Sequence, residues 1–321
     1  MTPADAILTR AIEQLSHGDT LGAEATLLGG LVDMPTESRF YLVHGVAARE
    51  AGRLPDGFTG FWRALAADPN LAGARAALLD TVVTRETPTE RDFSLNSGER
   101  QFADTVAAIR ADHRARYALA ARWLRHHIDS PRLRVGLDVF CGNGYGSRMI
   151  ADLAGARMMG LDGSAEAVAQ ATTKFGSHRV VYGHSVFPFT LAPKLFDFAT
   201  CFESIEHVDD PAELLHQLSV ATNGPFIVSV PLETGLPFAV NRDLFKHHVR
   251  HFTLSEMQNL LAKTGRVIAG EWGQVVYKKN RDRVSGFVPE HEMGIRPLDA
   301  DSQFLIVVAC MRMPPFESAK P

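Results

Sequence analysis

The sequence predicts an α/β chain, in which a mainly parallel sheet follows an all-α region at the N-terminus. Small residues recur in the first ninety positions, where Gly18 falls on Gly52 and Pro35 on Pro69 at a spacing of 34 residues. From Val135 onward, an apolar run, a glycine-rich turn and a helical pattern follow one another. Apolar runs and helical patterns then alternate toward the C-terminus, which is typical of parallel sheets.

Length and charge limit the possible functions. A chain of 321 residues is long for one domain and comfortable for two. Its formal net charge of −4 gives no general attraction to nucleic acid or to an anionic membrane, so a small or neutral partner is favoured. Cys141, Cys201 and Cys310 are far apart and odd in number, which argues against a disulfide framework. The apolar run FLIVVACM is too short to span a bilayer, and we expect a soluble, cytoplasmic protein.

Residues 1–88 are expected to form the first domain. The segment from Tyr41 to Pro69 resembles the tetratricopeptide repeat, and it carries the motif residues Gly45, Phe61, Ala64 and Pro69. Two repeats are fewer than the three that usually stand alone, so we expect them to buttress the rest of the chain or to self-associate. Residues 89–98 are the predicted linker, and residues 99–321 the second domain.

A glycine-rich loop opens the second domain. The predicted strand over residues 135–140 is followed by three glycines, Gly142, Gly144 and Gly146. Glycines at such a turn let the backbone approach a ligand, and Asp162, after the next strand, can accept both hydroxyls of a ribose. Asp138 stands inside the first strand, where it would repel a pyrophosphate but suit an ammonium group. A loop that only makes a tight turn is the structural alternative.

This pattern resembles motif I of the class I S-adenosylmethionine-dependent methyltransferases. The order of elements over about residues 95–315 matches their Rossmann-like sheet of seven strands. The resemblance implies an enzyme whose glycine loop faces the amino acid moiety of S-adenosylmethionine. It implies the cofactor-binding residues Tyr117, Asp138, Gly142, Gly144, Gly146, Asp162, Gly163, Ser185 and Phe202. The family often has an acid for the adenine where His184 stands, and we expect Ser185 or the backbone to replace it.

Hydrophilic residues follow the fourth strand of the predicted sheet. The run ESIEHVDDPAELLHQL is similar to a segment that binds a divalent ion in ubiquinone-pathway O-methyltransferases and small-RNA 2′-O-methyltransferases. The expected ligands of Mg²⁺ or Mn²⁺ are Glu203, Glu206, His207 and His251, with His248 as second choice for the last. The alternatives are a helix cap, a pairing with Arg250, and a solvent-facing histidine cluster.

The same residues point to an oxygen acceptor. An alkyl hydroxyl must lose its proton as it attacks the methyl group, so a cation or a histidine base is needed. The opening SGERQFADTVAAIRADHRARYALA is similar to that of bacterial methyltransferases of cell-surface polysaccharide pathways, at Gly98, Glu99, Arg100, His113, Arg116, Tyr117 and Ala120. This resemblance implies that Tyr117 approaches the cofactor carboxylate and that His113 faces the acceptor. The predicted catalytic residues are His207, His251 and His113.

We therefore expect an S-adenosylmethionine-dependent O-methyltransferase that acts on a sugar hydroxyl of a glycan or activated-sugar precursor. Its helical repeats would join it to a second copy or to a protein partner. A phenol or quinone precursor is favoured instead if the pocket is lined by Phe187, Phe189, Phe238 and Phe245. RNA methylation is disfavoured, because the sequence shows no basic patch that could bind a phosphate backbone. The last alternative is a helical-repeat scaffold whose methyltransferase fold is vestigial. The presence of Asp138, the three glycines and Asp162 argues against it.

Overall fold

The computed structural model describes residues 1–86, 101, 103–128 and 134–312 of the chain. The predicted linker over residues 89–98, together with Gly98, Glu99 and Arg100, lies outside the described residues. In the described ranges, no helix combines the length and the apolar composition that crossing a bilayer requires.

Five helices come first and form what we call the helical region: α1 (Pro3–Ser16), α2 (Thr20–Asp33), α3 (Ser38–Glu50), α4 (Leu54–Ala67) and α5 (Ala72–Val82). Each helix packs against the next along the chain. Thr2 begins α1 with a capping box, and the carboxylate of Asp19 caps α2. A Cβ added to Gly45 would lie 2.6 Å from the ring of Phe61, so the small residues of the repeat allow α3 and α4 to approach closely.

The rest of the chain forms a sheet with helices on its faces. The strands are β1 (Val83–Glu86), β2 (Val135–Val139), β3 (Arg157–Asp162), β4 (Val180–His184), β5 (Phe189–Leu191), β6 (Phe198–Phe202), β7 (Phe226–Pro231), β8 (Arg266–Gln274), β9 (Tyr277–Asn280), β10 (Arg283–Phe287), β11 (Ile295–Arg296) and β12 (Phe304–Met311). The helices are α6 (Ala111–His127), α7 (Tyr145–Ala154), α8 (Ala165–Phe175), α9 (Pro211–Ala221), α10 (Phe238–Asn241) and α11 (Leu254–Lys263).

The main sheet has the strand order β11-β8-β12-β7-β6-β2-β3-β4. Neighbouring strands from β4 to β7 are parallel, whereas β12 is antiparallel to both β7 and β8. The predicted sheet of seven strands is therefore confirmed, with the two-residue β11 as an additional edge strand. The small antiparallel pairs β1–β5 and β9–β10 were not predicted.

One crossover of the parallel sheet contains no helix. Residues 185–197 connect β4 to β6 and include only the short strand β5. Such crossovers usually contain a helix, which covers one face of the sheet. Here α4 and α5 cover that face, because Phe58 and Leu78 belong to the same buried cluster as Leu137 of β2 and Leu161 of β3. The helical region and the sheet thus share one core.

We expect Phe58→Ala to destabilise the whole chain in one transition. Phe58 is 2% exposed, and its ring meets that of Phe196 edge to face at a centroid distance of 5.4 Å. Removing a buried phenylalanine ring costs about 3–5 kcal/mol. Urea unfolding followed by circular dichroism should show this loss, with Phe287→Ala, whose ring is 51% exposed, as the control. Two separate transitions, with only the first affected, would mean that the core is not shared.

Candidate active site

The glycine-rich loop leaves β2 and begins α7. Gly144 is the N-cap of α7 with φ +87°, and Gly142 has φ +58°, both in the left-handed region that favours glycine. A Cβ would lie 2.5 Å from the ring of Tyr182 at Gly144, and 1.9 Å from the ring of Tyr117 at Gly146. A Cβ at Gly142 would meet nothing within 4 Å. Gly144 and Gly146 therefore leave room for aromatic rings to pack against the backbone, and Gly142 faces open space.

Asp162 lies at the end of β3, directly beside this loop. Its carboxylate accepts hydrogen bonds from the backbone N–H groups of Gly142 at 2.9 Å and Ser164 at 2.8 Å. Ser185 follows β4 and donates its own N–H to the Asp162 carbonyl at 3.0 Å. The ends of β3 and β4 and the glycine loop are therefore tied together around one acid.

Asp138 is buried beneath the loop. Its carboxylate accepts hydrogen bonds from the hydroxyls of Ser147 at 2.6 Å, Thr200 at 2.7 Å and Tyr117 at 3.4 Å. Burial raises the pKa of Asp138 to about 6, although these hydroxyls oppose the rise. The acid thus connects α6, α7 and β6 from below the loop.

The raised pKa gives Asp138 a pH-dependent effect on stability. A carboxyl group has its ordinary pKa of 3.8 in the unfolded chain, so the folded chain binds the proton more tightly. This stabilisation is complete below about pH 4 and is lost as the pH rises through about 6. We expect the wild type to lose about 1 kcal/mol of unfolding free energy relative to Asp138→Asn between about pH 5 and pH 7.5. Urea unfolding at both pH values measures this, and Asp152→Asn on the surface should show no such change. A difference that grows in the opposite direction would contradict the raised pKa.

Two residues other than glycine have a left-handed backbone directly after a strand of the described main sheet. Phe140 follows β2 with φ +58°, and Glu203 follows β6 with φ +49°. Such conformations are uncommon in large residues and concentrate at functional sites. Glu203 accepts a hydrogen bond from the Ser229 hydroxyl at 2.6 Å and lies 3.8 Å from the guanidinium of Arg116. Burial raises the pKa of Glu203, while Arg116 and Ser229 oppose this rise.

Arg116 is a site residue to which the sequence assigned no role. It is 1% exposed, its Nε donates to Gln274 at 2.8 Å, and its guanidinium lies over the ring of Phe304 at 4.6 Å. Its two terminal nitrogens have no hydrogen-bond partner among the residues that the structure describes, although Asp112 is 3.6 Å away. Buried donors without acceptors are rare, so these nitrogens are suited to oxygen atoms of a ligand. The signal that could have revealed it is an arginine four residues after Asp112, in a helical stripe otherwise made of alanine, leucine and tyrosine.

Glu206, His207 and His248 converge beside the end of β6. Their ligand atoms all lie within 4.8 Å of one another. Glu206 and His207 belong to a short 3₁₀ turn, Ile205–His207, and Glu206 is fully buried. The N–H of Val249 donates to the Glu206 carbonyl at 2.9 Å, which ties the segment with His248 to this turn. Burial and neighbouring histidines lower the pKa of His248 to about 2, so its ring is neutral at pH 7.

Backbone carbonyls orient the histidine rings. The Nδ1 atoms of His207 and His251 lie 3.0 Å and 2.6 Å from the carbonyl oxygens of His247 and Leu236. A carbonyl can only accept, so each neutral ring carries its proton on Nδ1. The Nε2 of His251 must then accept, and His248 donates to it from Nδ1 at 2.9 Å. In these tautomers Nε2 of His207 and Nε2 of His248 carry no proton, which is the form that binds metal ions.

The structure thus brings together only part of the predicted ligand set. Glu206 and His207 lie together, and His248, the second choice, joins them in place of His251. His251 instead supports His248 from behind, and Glu203 is engaged by Ser229. The guanidinium of Arg250, the alternative partner, donates to the Asp209 carbonyl at 3.1 Å.

Both ring nitrogens of His113 are engaged by neighbouring side chains. Its Nδ1 lies 3.0 Å from the Tyr145 hydroxyl, and its Nε2 lies 3.3 Å from a guanidinium nitrogen of Arg110. A guanidinium only donates, so Nε2 accepts from it and both ring nitrogens are engaged. Burial lowers the pKa of His113 to about 3. The expectation that His113 acts as a catalytic base therefore receives no support from its hydrogen bonds.

Residues 111–268 match the family model described as a methyltransferase domain. A probable S-adenosylmethionine-dependent methyltransferase of Mycolicibacterium smegmatis is 28% identical over 208 residues, which cover 60% of this chain and 79% of that protein. The ubiquinone biosynthesis O-methyltransferase of Paraburkholderia phymatum is 38% identical over 98 residues, or 29% of this chain and 41% of that protein. This chain carries an S-adenosylmethionine-dependent methyltransferase domain.

Among solved structures, the methyltransferase domain is similar to magnesium protoporphyrin IX methyltransferase of Synechocystis with bound S-adenosylhomocysteine. The two are 19% identical with a TM-score of 0.46, over 63% of this chain and 84% of that one. The match to the ubiquinone enzyme of Paraburkholderia phymatum spans less than half of that protein's length.

The residues of the methyltransferase domain fit the cofactor. Gly142 faces open space beside the carboxylate of Asp162, which suits the approach of a ribose. In the described part of the chain, the buried Oγ of Ser185 and Oδ1 of Asn143 have no hydrogen-bond partner. Asn143 belongs to the glycine loop, and Ser185 donates its N–H to the Asp162 carbonyl. His184, at the position where an acid was expected, is exposed and donates from Nε2 to the Gly163 carbonyl at 3.1 Å. Its Nδ1 is thereby left as an acceptor.

We expect Asp162→Ala to weaken the binding of S-adenosylhomocysteine at least about ten-fold. Each lost hydrogen bond to a ribose hydroxyl costs about 1 kcal/mol or more, and the loop also loses its anchor at Gly142. Calorimetry measures the affinity, with Asp152→Ala as the control, since that acid pairs with Arg148 on the surface of α7. Equal affinities of the two variants would remove Asp162 from the cofactor site.

Proposed function

We propose that the methyltransferase domain transfers a methyl group from S-adenosylmethionine to a hydroxyl oxygen, assisted by a divalent cation. The convergence of Glu206, His207 and His248 within 4.8 Å is the observation that carries this proposal. One carboxylate and two imidazoles suit Mn²⁺ better than Mg²⁺, which prefers oxygen ligands. Their position after β6 is in keeping with the rule that open α/β sheets bind ligands at the carboxyl ends of their strands.

The chemistry explains why such a cluster is useful. When bound, the cofactor supplies an electrophilic methyl group on a sulfonium. An alkyl hydroxyl is a very weak acid, and a divalent cation beside it would lower its pKa by several units. Glu206 would neutralise part of the cation's charge within a buried setting, while His207 and His248 hold it through nitrogen. Without a cation, the unprotonated Nε2 of His207 would accept the proton of the hydroxyl.

A polyhydroxylated acceptor is our first choice. The chain opens its second domain with residues that resemble polysaccharide-pathway enzymes, and charged groups stand close to the end of β6. The carboxylates of Asp112 and Glu203 each lie within 4 Å of the guanidinium of Arg116. Neighbouring hydroxyls can donate to the carboxylates and accept from the guanidinium at the same time.

A phenol or quinone precursor is the second choice, for which there is one specific observation. Phe238 and Phe245 pack around His251, with ring centroids at 5.1 Å and 5.0 Å. Phe187 and Phe189 pack against each other in the core shared with the helical region instead. Transfer of a labelled methyl group to a catechol, with none to hexose derivatives, would select the aromatic acceptor. For either acceptor we propose a reducing compartment, because none of the three cysteines forms a disulfide.

We expect Mn²⁺ to bind to the wild type and Glu206→Gln to weaken this binding at least ten-fold. The substitution removes the anionic ligand but keeps the volume of the side chain. Calorimetry with Mn²⁺ alone gives the affinity, and electron paramagnetic resonance counts the free ion. Glu213→Gln, on α9, is the matched control, because its carboxylate accepts from Gln217 of the same helix.

Affinity for S-adenosylhomocysteine should stay within about two-fold in both variants, since the cofactor is held from the glycine loop and Asp162. Methyl transfer that survives exhaustive chelation and Glu206→Gln would leave the proposal without its cation. Catalysis would then rest on the positioning of the two substrates.

A further inference from the structure

The outer face of α2 carries an apolar ridge formed by Leu21, Ala25, Leu28 and Val32. These residues follow the spacing i, i+4, i+7 and i+11, so they lie on one stripe of the helix. Leu21 is 73% exposed, Leu28 52% and Val32 80%. Single exposed apolar residues are ordinary, but a contiguous patch marks an interaction site.

A groove with a volume of about 530 Å³ lies beside this ridge, between α1 and α2. It is lined by Ala6, Ile7, Arg10, Ala25, Thr26 and Gly29. A Cβ at Gly29 would meet nothing within 4 Å, so the wall of the groove is open there. Helices pack when the side-chain ridge of one enters a groove of the other.

We propose that this face joins two copies of the chain, with the ridge of each copy in the groove of the other. A two-fold axis requires a self-complementary surface, on which residue i meets residue j of the partner and j meets i. A ridge beside a groove meets this requirement. A different partner would use only one of the two features.

Charge and size agree with a second copy as the occupant. The ridge itself carries no charge, and Glu24 of α2 is held by Arg53. Asp33 at the end of α2 and Arg10 at the groove are exposed, and neither has an ion-pair partner in the part of the chain that the structure describes. The ridge presents three large apolar side chains, Leu21, Leu28 and Val32, each more than half exposed. The groove walls enlarge this face toward the roughly 800 Å² that each partner buries in a stable dimer.

The position of this face in the molecule is also compatible with pairing of two copies. In the helical region, α4 and α5 are covered by the sheet, so α1 and α2 form the free end. Two copies can therefore pair there without touching the glycine loop or the histidine cluster. The inference does not depend on the identity of the acceptor.

Sedimentation velocity of the full chain, from micromolar to near-millimolar concentration, tests this. We expect a mass near twice 35.1 kDa for the wild type. Leu28→Glu should shift the chain to monomer, or weaken the dimer at least about 100-fold, because it places a charge in the contact. The matched control is Leu153→Glu on α7, where the leucine is 47% exposed against 52% for Leu28, and it should remain dimeric.

A second measurement does not rely on a disruptive variant. Leu28→Cys mixed with Arg10→Cys, a ridge position and a groove position, should yield a disulfide-linked dimer under mild oxidation, whereas Leu153→Cys mixed with Arg10→Cys should not. Circular dichroism and binding of S-adenosylhomocysteine check that every variant is folded. A wild type that is monomeric over the whole range overturns the proposal. A dimer that persists in Leu28→Glu, with no cross-link through Leu28→Cys, also overturns it, because the contact then lies elsewhere.

Discussion

Covering both faces of the parallel sheet is the constraint on which the structure depends. Strands in such sheets are apolar on both sides, so an uncovered face would expose the core to water. Between β4 and β6 the crossover supplies no helix, and α4 and α5 from the N-terminal region take its place. Leu79 of α5 lies so close to β4 that a Cβ on Gly183 would be 2.4 Å from it. The helices are thus part of the unit that holds the ends of β3 and β4 in position.

The shared core also holds the groups at the carboxyl ends of the strands in fixed positions. Asp138 can remain buried because three hydroxyls donate to it, and the strands that carry it and Thr200 are fixed by packing on both faces. The same rigidity maintains the left-handed backbone at Phe140 and Glu203, which a loosely packed loop would relax. The methyltransferase domain therefore has a cofactor loop whose shape is set before any ligand arrives, and this preorganisation lowers the cost of binding.

On the acceptor side, backbone carbonyls determine the state of the side chains. The carbonyl of Leu236 sets the tautomer of His251, which in turn sets that of His248. The carbonyl of His247 does the same for His207. Carbonyls have no pKa in the physiological range, so this arrangement stays the same where titrating partners would not. The result is two imidazole nitrogens with lone pairs near one buried carboxylate.

Local patterns in the sequence were enough for the parallel sheet, the glycine loop and Asp162. Apolar periodicity, glycine at turns and an acid at a strand end depend only on near neighbours along the chain. The run from Glu203 to His207 was predicted to be a site for the same reason. In contrast, β1, β5 and the β9–β10 hairpin went unpredicted, because strands of three to five residues at the edges have weak patterns.

Tertiary structure alone decided how these parts are used. His248 and His251 stand three residues apart with equal chemistry, and a carbonyl 15 residues away assigns the first to the cluster and the second to its support. Glu203 and Glu206 are likewise assigned to different contacts. Ser229, from the neighbouring strand, donates to Glu203, whereas Glu206 joins the histidine cluster. No spacing along the chain reveals that α4 and α5 replace a crossover helix, because that contact joins residues more than 100 positions apart. Sequence determines which groups are present at strand ends, whereas packing between distant segments determines which of them meet.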